Sequence, residues 1–187
     1  MTAPDAFARA MQIAQAYERA NIPYAIGGAL ALGIWGIPRG TVDVDVNVFL
    51  EGDALDRAIQ ILQALGMDLD LKRARQESAD RGMFVGTWEG MRIDVFTPSI
   101  DFSREALRTR ARQRAGEVEA WYLSAEALAV FKLLFFRSKD IADLERLVAV
   151  AEVDSGYVRR WIVDMMGEDD PRAHKWDEIV AAFGRGR

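Results

Sequence analysis

The chain has 187 residues, of which 50% are hydrophobic and 28% are charged, a composition that is typical of a folded protein and too apolar for a disordered one. The length suits one compact domain or a small domain with a helical extension. The absence of cysteine excludes disulfide scaffolds, thiolate zinc sites and cysteine nucleophiles. The formal net charge of -5 argues against nonspecific coating of nucleic acid, because such binding depends on surplus cations.

The opening segment, MTAPDAFARAMQ, contains an early acid and no long apolar run. It therefore resembles neither a signal peptide nor a membrane span. Since nothing in the sequence requires an oxidising compartment, we expect a cytoplasmic protein that has no membrane partner.

The first predicted elements are a helix, a short strand, a glycine turn and a second helix. Apolar residues at three- and four-residue steps predict the first helix over residues 4–20. Tyr24-Ala25-Ile26 is typical of a short buried strand, and it leads directly into Gly27-Gly28. A short helix over 29–35 follows, so the chain passes from strand to helix through the glycine pair.

The next predicted strand covers residues 42–50, where valines alternate with polar residues. We expect Val42, Val44, Val46 and Val48 to face a core. The other predictions in this half are a helix over 53–65 capped by Asp53, a short strand over 68–71, a hairpin of strands 83–88 and 91–96 turning at Glu89-Gly90, and a strand over 118–122.

The rest of the chain is predicted to be helical. Ser124 should cap a strongly apolar helix, and Ser138, Gly156 and Asp170-Pro171 are the expected breaks. The fold class is therefore α/β (α+β), with a small mixed β-sheet flanked by helices. We expect a core over 1–122 and a C-terminal helical region over 123–187 that packs on it.

Asp43 and Asp45 are the first candidates for chemistry. Residues two apart on a strand project from the same face, so these two carboxylates should lie side by side. Like charges so close destabilise a fold unless a cation or hydrogen-bond donors offset them, and Mg²⁺ accepts one or two carboxylates together with substrate phosphates. A solvent-facing edge strand with acidic residues is the alternative explanation.

Two further features are compatible with such a site. The lack of side chains at Gly27-Gly28 would let a phosphate approach the backbone N–H groups, although a tight turn alone also explains the pair. Asp94, in the strand Arg92-Ile93-Asp94-Val95-Phe96, would reach the same place if its strand lay beside the first. Pairing with Arg92 is the alternative for Asp94.

The order of these pieces resembles the DNA polymerase β-type nucleotidyltransferase superfamily, with a glycine turn, an acid-x-acid strand and a third acid on a later strand. The segment YAIGGALALGIWGIPRGTVDVDVNVF, residues 24–49, is similar to a small prokaryotic branch that includes toxin-type and abortive-infection nucleotidyltransferases. In that branch Arg39, Thr41 and the two acids form an Arg-x-Thr-x-Asp-x-Asp string. Aligned on the acids, the glycine pair of the family falls at Gly28-Ala29.

The similarity continues in LSAEALAVFKLLFFRSKDIADLERL, which resembles a helical segment of that branch in which a lysine precedes a Lys-Asp-x-x-Asp string. The matching residues are Lys132, Lys139, Asp140 and Asp143. If 128–147 formed one helix, Lys132, Lys139, Asp143 and Arg146 would lie within about 40° of a common line. Such a stripe would direct cations to a triphosphate, whereas a solvated face with local ion pairs is the alternative.

The resemblance implies a Mg²⁺-dependent nucleotidyltransferase that moves a nucleoside monophosphate from a nucleoside triphosphate (NTP) to a hydroxyl of an RNA, a protein or a small molecule. Asp43, Asp45 and Asp94 would bind Mg²⁺, with Mn²⁺ as an alternative, and Asp94 would accept the hydroxyl proton. The residues expected to contact the nucleotide are Gly27, Gly28, Arg39, Thr41, Lys132, Lys139 and Asp143.

Several functions remain open on the sequence alone. The domain could bind a nucleotide or a partner protein without catalysis, or modify an antibiotic. It could also be a toxin that acts on tRNA or protein and is held by an antitoxin protein. The arginines at 104, 108 and 112, spaced by four, would offer RNA a basic face, or they would form an ordinary solvated helix face.

Overall fold

A computed structural model describes residues 5–184 of the chain, and Pro4, where the first helix was predicted to begin, lies outside them. The helices are α1 (Ala6–Arg19), α2 (Gly28–Ile34), α3 (Asp53–Ala64), α4 (Leu71–Arg81), α5 (Phe102–Thr109), α6 (Ala125–Phe135), α7 (Ser138–Val150), α8 (Ser155–Met166) and α9 (Pro171–Phe183). The strands are β1 (Tyr24–Ile26), β2 (Asp43–Val48), β3 (Met83–Trp88), β4 (Met91–Phe96), β5 (Ala111–Ala115) and β6 (Val118–Tyr122).

In the described residues these strands form one mixed sheet in the order β3-β4-β2-β1-β6-β5. The third strand in that order, β2, runs parallel to β4 and antiparallel to β1, and its Asp45 is registered directly opposite Asp94. The predicted hairpin of β3 and β4 is confirmed, and it turns at Glu89 and Gly90, both with positive φ. The acid-bearing strands are therefore neighbours inside the sheet.

The valine and acid alternation gives β2 two chemically different faces. Val44, Val46 and Val48 are fully buried, and burial of each such side chain stabilises the fold by about 1.5 to 3 kcal/mol. The prediction for Val42 is wrong, because the strand begins one residue later and this side chain is 78% exposed. The opposite face of β2 is left for polar side chains.

Helices cover the sheet and continue the core beyond it. Helix α1 contacts β1, β2, β6 and α3, whereas α6 contacts α2 and the three helices that follow it. Buried residues from the sheet and from all these helices form one hydrophobic cluster. The predicted class, a mixed α/β sheet flanked by helices, is confirmed. None of the helices between residues 5 and 184 combines the length and apolar character that a membrane crossing needs.

Two local predictions in the first half are wrong. Residues 68–71 do not form a strand: Asp68 makes a single bridge to Thr87, and Asp70 caps α4 by accepting the Arg73 N–H at 2.6 Å. Asp53 does not cap α3 but is its first residue, because Gly52 occupies the N-cap.

The hypothetical single helix over 128–147 does not form. Phe136 has a left-handed φ of 54° and ends α6, and α7 begins at Ser138, the predicted break. The carboxylate of Asp140 accepts the Arg137 N–H at 3.3 Å and so fixes the start of α7. Ser124 caps α6 as predicted, accepting the Ala127 N–H at 3.1 Å.

The arginine-rich segment is also not one helix. Helix α5 ends at Thr109, so Arg112 lies on β5 and not one turn beyond Arg108. Arg108 pairs with Glu105 at 2.6 Å, and Arg112 pairs with Glu119 at 3.3 Å. A continuous basic face with a spacing of four residues is therefore not present.

Candidate active site

Three carboxylates, Asp43, Asp45 and Asp94, form what we call the acidic cluster. Asp43 and Asp45 lie on the same face of β2, and Asp94 faces Asp45 from β4, one strand spacing of about 4.8 Å away. All three are partly buried and line one cleft of about 220 Å³ between the sheet and α6. The structure thus brings together the three acids that the sequence singled out.

The surroundings of Asp45 within the acidic cluster disfavour its ionisation. Burial, the main cause, and the negative charges of Asp94 and Asp43 raise the pKa of Asp45 to about 6, although Lys132 and Lys139 act in the opposite direction. A carboxyl group in this position gains from any cation that enters the cleft, because the cation would relieve both the burial and the repulsion.

Arg92 provides a partner for one member of the acidic cluster. Its Nε lies 2.8 Å from Oδ1 of Asp94, so the pairing considered from the sequence is present. The arginine side chain is half exposed, and both residues line the cleft. Asp94 therefore has an ion-pair partner and still borders the same space as Asp45.

The glycine turn touches the acidic cluster directly. Gly28 has φ of +55°, and a Cβ added there would lie 1.8 Å from Oδ2 of Asp45. Only a residue without a side chain lets the carboxylate approach so closely. The Gly27 N–H donates to the backbone oxygen of Asp45 at 2.9 Å, so this amide stabilises the turn, and a phosphate contact at Gly27 stays a prediction.

Arg39 and Thr41 lie at the cleft on the segment that leads into β2. The Thr41 hydroxyl accepts the Asp43 N–H at 3.2 Å and lies 3.0 Å from the Asp43 backbone oxygen. It therefore holds the beginning of the acid-bearing strand in place. Arg39 lies 3.4 Å from Oδ2 of Asp143, which connects this segment to α7.

A second group of charges, which we call the ion-pair network, borders the cleft on the side of α6 and α7. The buried Lys132 Nζ lies 2.7 Å from Oδ2 of Asp143 and 3.3 Å from Oδ1 of Asp140, and Arg137 Nε lies 2.6 Å from Oδ2 of Asp140. Hydrogen bonding to Arg137 and the positive charge of Lys132 lower the pKa of Asp140 even though burial opposes this. The members are Arg39, Lys132, Arg137, Asp140 and Asp143.

The helical candidates therefore differ in their surroundings. Lys132 lines the cleft but is bound to two carboxylates, and Asp143 is buried as a counter-ion. Lys139 lines the cleft and is exposed. Because the predicted single helix is broken, the two lysines reach the cleft from different helices, α6 and α7.

Sequence reasoning missed two residues at the cleft. Arg137 comes from the loop between α6 and α7, whose path depends on the left-handed Phe136 and has no simple sequence signal. Asn47 was visible as the next polar residue in the Asp43, Asp45 alternation, and it is buried on the same face. Extending the alternation by one more step along the strand would have added Asn47 to the candidate site residues.

The donor chemistry of the acidic cluster fits Mg²⁺. Within residues 5–184 no three His, Asp or Glu side chains are placed so that they already hold a metal ion together. Asp43 and Asp45 nevertheless supply hard oxygen donors at one place, and Mg²⁺ completes its shell with water and phosphate oxygens. The close approach of Asp45 to Gly28 would set that ion beside a turn that has no side chain to obstruct it.

Comparison with known proteins supports the architecture. No protein-family model and no curated protein sequence matches the chain. The chain is similar to the structure of ANT(2″)-Ia in complex with adenylyl-2″-tobramycin, with 16% identity, coverage of 94% of this chain and 95% of that one, and a TM-score of 0.50.

Two further structures are similar. The lincosamide antibiotic adenylyltransferase LnuA with lincomycin bound is 13% identical, with 77% of this chain and 97% of that one covered and a TM-score of 0.52. An antigenic nucleotidyltransferase-like protein from Paracoccidioides brasiliensis is 16% identical, with 92% of each chain covered and a TM-score of 0.51. At these identities the comparison establishes the fold, and the chain has the fold of the nucleotidyltransferases.

Proposed function

We propose that the protein is a nucleotidyltransferase that moves a nucleoside monophosphate from an NTP to a hydroxyl group of an acceptor. The observation that carries the proposal is the position of Asp45, which is buried against the Gly28 backbone and faces Asp94 across two neighbouring strands. An arrangement that raises the pKa of a carboxyl group to about 6 destabilises the empty protein and favours a bound cation.

The cleft has basic residues for the phosphates of the NTP, separate from the acidic cluster that would hold the metal ion. Lys139 and Arg39 line it from α7 and from the segment before β2, where they would neutralise phosphate oxygens. Lys132 would act from the same side, although its ammonium group is shared with Asp140 and Asp143. Gly28 is proposed as the place where the backbone approaches the phosphates.

Asp43 and Asp45 would hold Mg²⁺ with Asp94 as a third ligand, and Mn²⁺ would fit the same donors. When bound, the ion would neutralise charge on the phosphates and lower the pKa of the acceptor hydroxyl. Asp94 would accept the proton of that hydroxyl. Thr41 would keep Asp43 in place through its two contacts with the strand backbone.

The proposal is tested by following transfer of an α-labelled nucleotide into a mixture of RNA, protein and small molecules from a cell extract. Asp43→Asn and Asp45→Asn should each lower transfer by roughly three orders of magnitude while the circular dichroism spectrum is unchanged. Asp53→Asn, which alters an exposed acid on α3, is the matched control and should keep full activity. Unchanged transfer in the first two purified variants would contradict the assignment.

Among the acceptors, a small molecule is the candidate that the structure favours. The cleft between the sheet and α6 has a volume of only about 220 Å³, and the basic face proposed from Arg104, Arg108 and Arg112 for RNA is not formed. Two structures of the same fold carry antibiotic compounds, adenylyl-2″-tobramycin and lincomycin. An antibiotic or another small hydroxyl compound is therefore our proposal, whereas the toxin function and the antitoxin partner stay predictions.

The core and the C-terminal helical region predicted from the sequence would work as one unit. The acidic cluster belongs to the core, residues 1–122, whereas Lys132, Arg137 and Lys139 belong to the helical region, residues 123–187. We therefore propose that nucleotide binding needs both regions, with α6 as the wall of the cleft opposite the sheet.

A further inference from the structure

A second cavity of about 190 Å³ opens off the cleft at the ends of β2 and β4, and we call it the chamber. The side chains that line both spaces are Asn47, Met83, Phe96, Phe131 and Phe135. Because these five residues are shared, a molecule in the chamber borders a molecule in the cleft directly. The chamber continues along β2 and β4 beyond Asp45 and Asp94, as far as Phe49 and Ser99.

The chamber differs from the cleft in its chemistry. Arg39, Lys132 and Lys139 line the cleft and do not line the chamber. Arg81 is the single charged side chain among the described residues that line the chamber, and nine of the other fourteen are phenylalanine, leucine, isoleucine, valine, methionine or proline. A polycation would find no counter-charge in it, and burial of such a ligand would be unfavourable.

Two polar side chains in the chamber lack partners. Asn47 is 7% exposed and Ser103 is 5% exposed; neither side chain makes a hydrogen bond within residues 5–184, and their polar atoms are not among the fully buried ones that lack a partner. The Asn47 carboxamide lies over Gly27, where an added Cβ would be 3.0 Å from Nδ2. Because these two side chains line the chamber and keep their polar atoms accessible, water or the hydroxyl of a ligand can bind them there.

The order along β2 indicates which step of the reaction the chamber serves. Arg39 and Thr41 line the cleft just before Asp43 and Asp45, whereas Asn47, Val48 and Phe49, which follow these acids, line the chamber. In an in-line displacement the attacking oxygen enters opposite the leaving pyrophosphate. A chamber on the side opposite the phosphates is therefore placed for the attacking molecule.

We propose that the chamber is the acceptor subsite and that it takes a compact, uncharged, largely apolar molecule whose hydroxyl is bound by Asn47. This inference rests on the proposed function. The acceptor oxygen forms a bond to the α-phosphorus, the bond from that phosphorus to the bridging oxygen of pyrophosphate breaks, and the hydroxyl proton passes to Asp94. Asn47 orients the hydroxyl, and the phenylalanines enclose the apolar portion.

The ligand preference of the chamber is tested with three probes of similar shape: benzyl alcohol, benzylammonium and toluene. Each probe is titrated into the full chain, and its binding is followed by saturation-transfer NMR. The wild type should bind benzyl alcohol saturably and at least tenfold more tightly than benzylammonium. Ser103→Leu fills the chamber and should weaken benzyl alcohol at least tenfold while binding of ATP with Mg²⁺ stays unchanged. Equal binding of the alcohol and the cation, or full binding in the filled variant, would overturn the proposal.

Three further variants provide a substitute for Ser103→Leu, a matched control and a test of Asn47. If Ser103→Leu does not fold, Ile100→Trp at the partly exposed rim serves the same purpose, and Met166→Trp at an exposed position outside the chamber is the matched control. Asn47→Leu should remove the preference for benzyl alcohol over toluene, which we expect to be about threefold to tenfold in the wild type. A preserved preference would exclude Asn47 as the hydroxyl ligand.

These experiments distinguish failure of the acceptor subsite from failure of the proposed nucleotidyltransferase function. Failure of the wild type to bind ATP or to transfer a nucleotide would contradict the proposed function, whereas the three probes would still report on the chamber. Normal transfer that is insensitive to filling the chamber would retain the function and reject the acceptor subsite.

Discussion

The acidic cluster and the ion-pair network are two groups of charged residues that border the same cleft, and they differ in how their charges are paired. In the ion-pair network each buried charge has an opposite partner within 3.4 Å, so the group stabilises the contact of α6, α7 and the segment before β2. In the acidic cluster three like charges share a cleft with Arg92 as a direct partner of Asp94. The first group is complete by itself, and the second needs a ligand.

The largest expected effect comes from breaking the ion-pair network. Lys132→Met removes the ammonium group between Asp140 and Asp143, and we expect a loss of about 3 to 5 kcal/mol in the free energy of unfolding, because the buried Asp143 keeps only Arg39, at 3.4 Å, as a partner. Lys139→Met, at an exposed lysine of the same cleft, should change it by less than about 0.5 kcal/mol. Urea unfolding measures both, and similar losses would contradict the stabilising role assigned to the ion-pair network.

The next largest loss of stability is expected at the Gly27-Gly28 turn, which contacts Asp45 of the acidic cluster. Gly28→Ala places a methyl group onto Oδ2 of Asp45 at a positive φ, and should cost about 3 kcal/mol. Gly116→Ala has φ of +62° and open space around the added Cβ, so it should cost only about 1 to 2 kcal/mol. Thermal unfolding of both variants separates the steric contact from the backbone strain, and equal losses would exclude the contact.

Removing a charge from the acidic cluster should stabilise the protein, whereas the two preceding changes destabilise it. The raised pKa of Asp45 means that its neutral form favours folding, so this contribution is complete below pH about 4 and is lost as the pH rises through about 6. Asp45→Asn should therefore stabilise the protein by about 1 to 3 kcal/mol at pH 8 and by little at pH 4. Mg²⁺ should raise the melting temperature of the wild type more than that of the variant.

A paired acid outside both groups should show the reverse pH dependence with a smaller effect. Hydrogen bonds from Arg108 and Tyr157 lower the pKa of Glu105 to about 2. Its contribution is present above its ordinary pKa and is lost as the pH falls from about 4.5 to about 2. Glu105→Gln should cost about 1 kcal/mol at pH 7 and almost nothing at pH 2, as measured by urea unfolding at each pH. A loss that does not depend on pH would contradict this.

The sequence predicted the elements that depend on local periodicity. The valine alternation of β2, the hairpin turn at Glu89-Gly90 and the cap at Ser124 were identified because each depends on residues within a few positions. The helix over 71–81 was missed because a single buried residue, Ala74, gives it almost no apolar stripe.

The site was predictable where strand geometry decides it. Asp43 and Asp45 share a face by the period of two, and the resemblance suggested Asp94 as the third acid. The partners of Lys132 were not predictable, because they depend on the turn at Phe136 that folds α7 back against α6. The boundary between residues 122 and 123 also stays a prediction.

The two-faced character of β2 limits the sequence changes that this chain can tolerate. A one-residue insertion or deletion inside 43–48 would rotate every later side chain of the strand to the opposite side. Valines would then point into the cleft and carboxylates into the hydrocarbon interior, so folding and ligand binding would be lost in one event. Relatives of this protein should therefore vary in length at the loops on either side of the strand and keep the length of the strand itself constant.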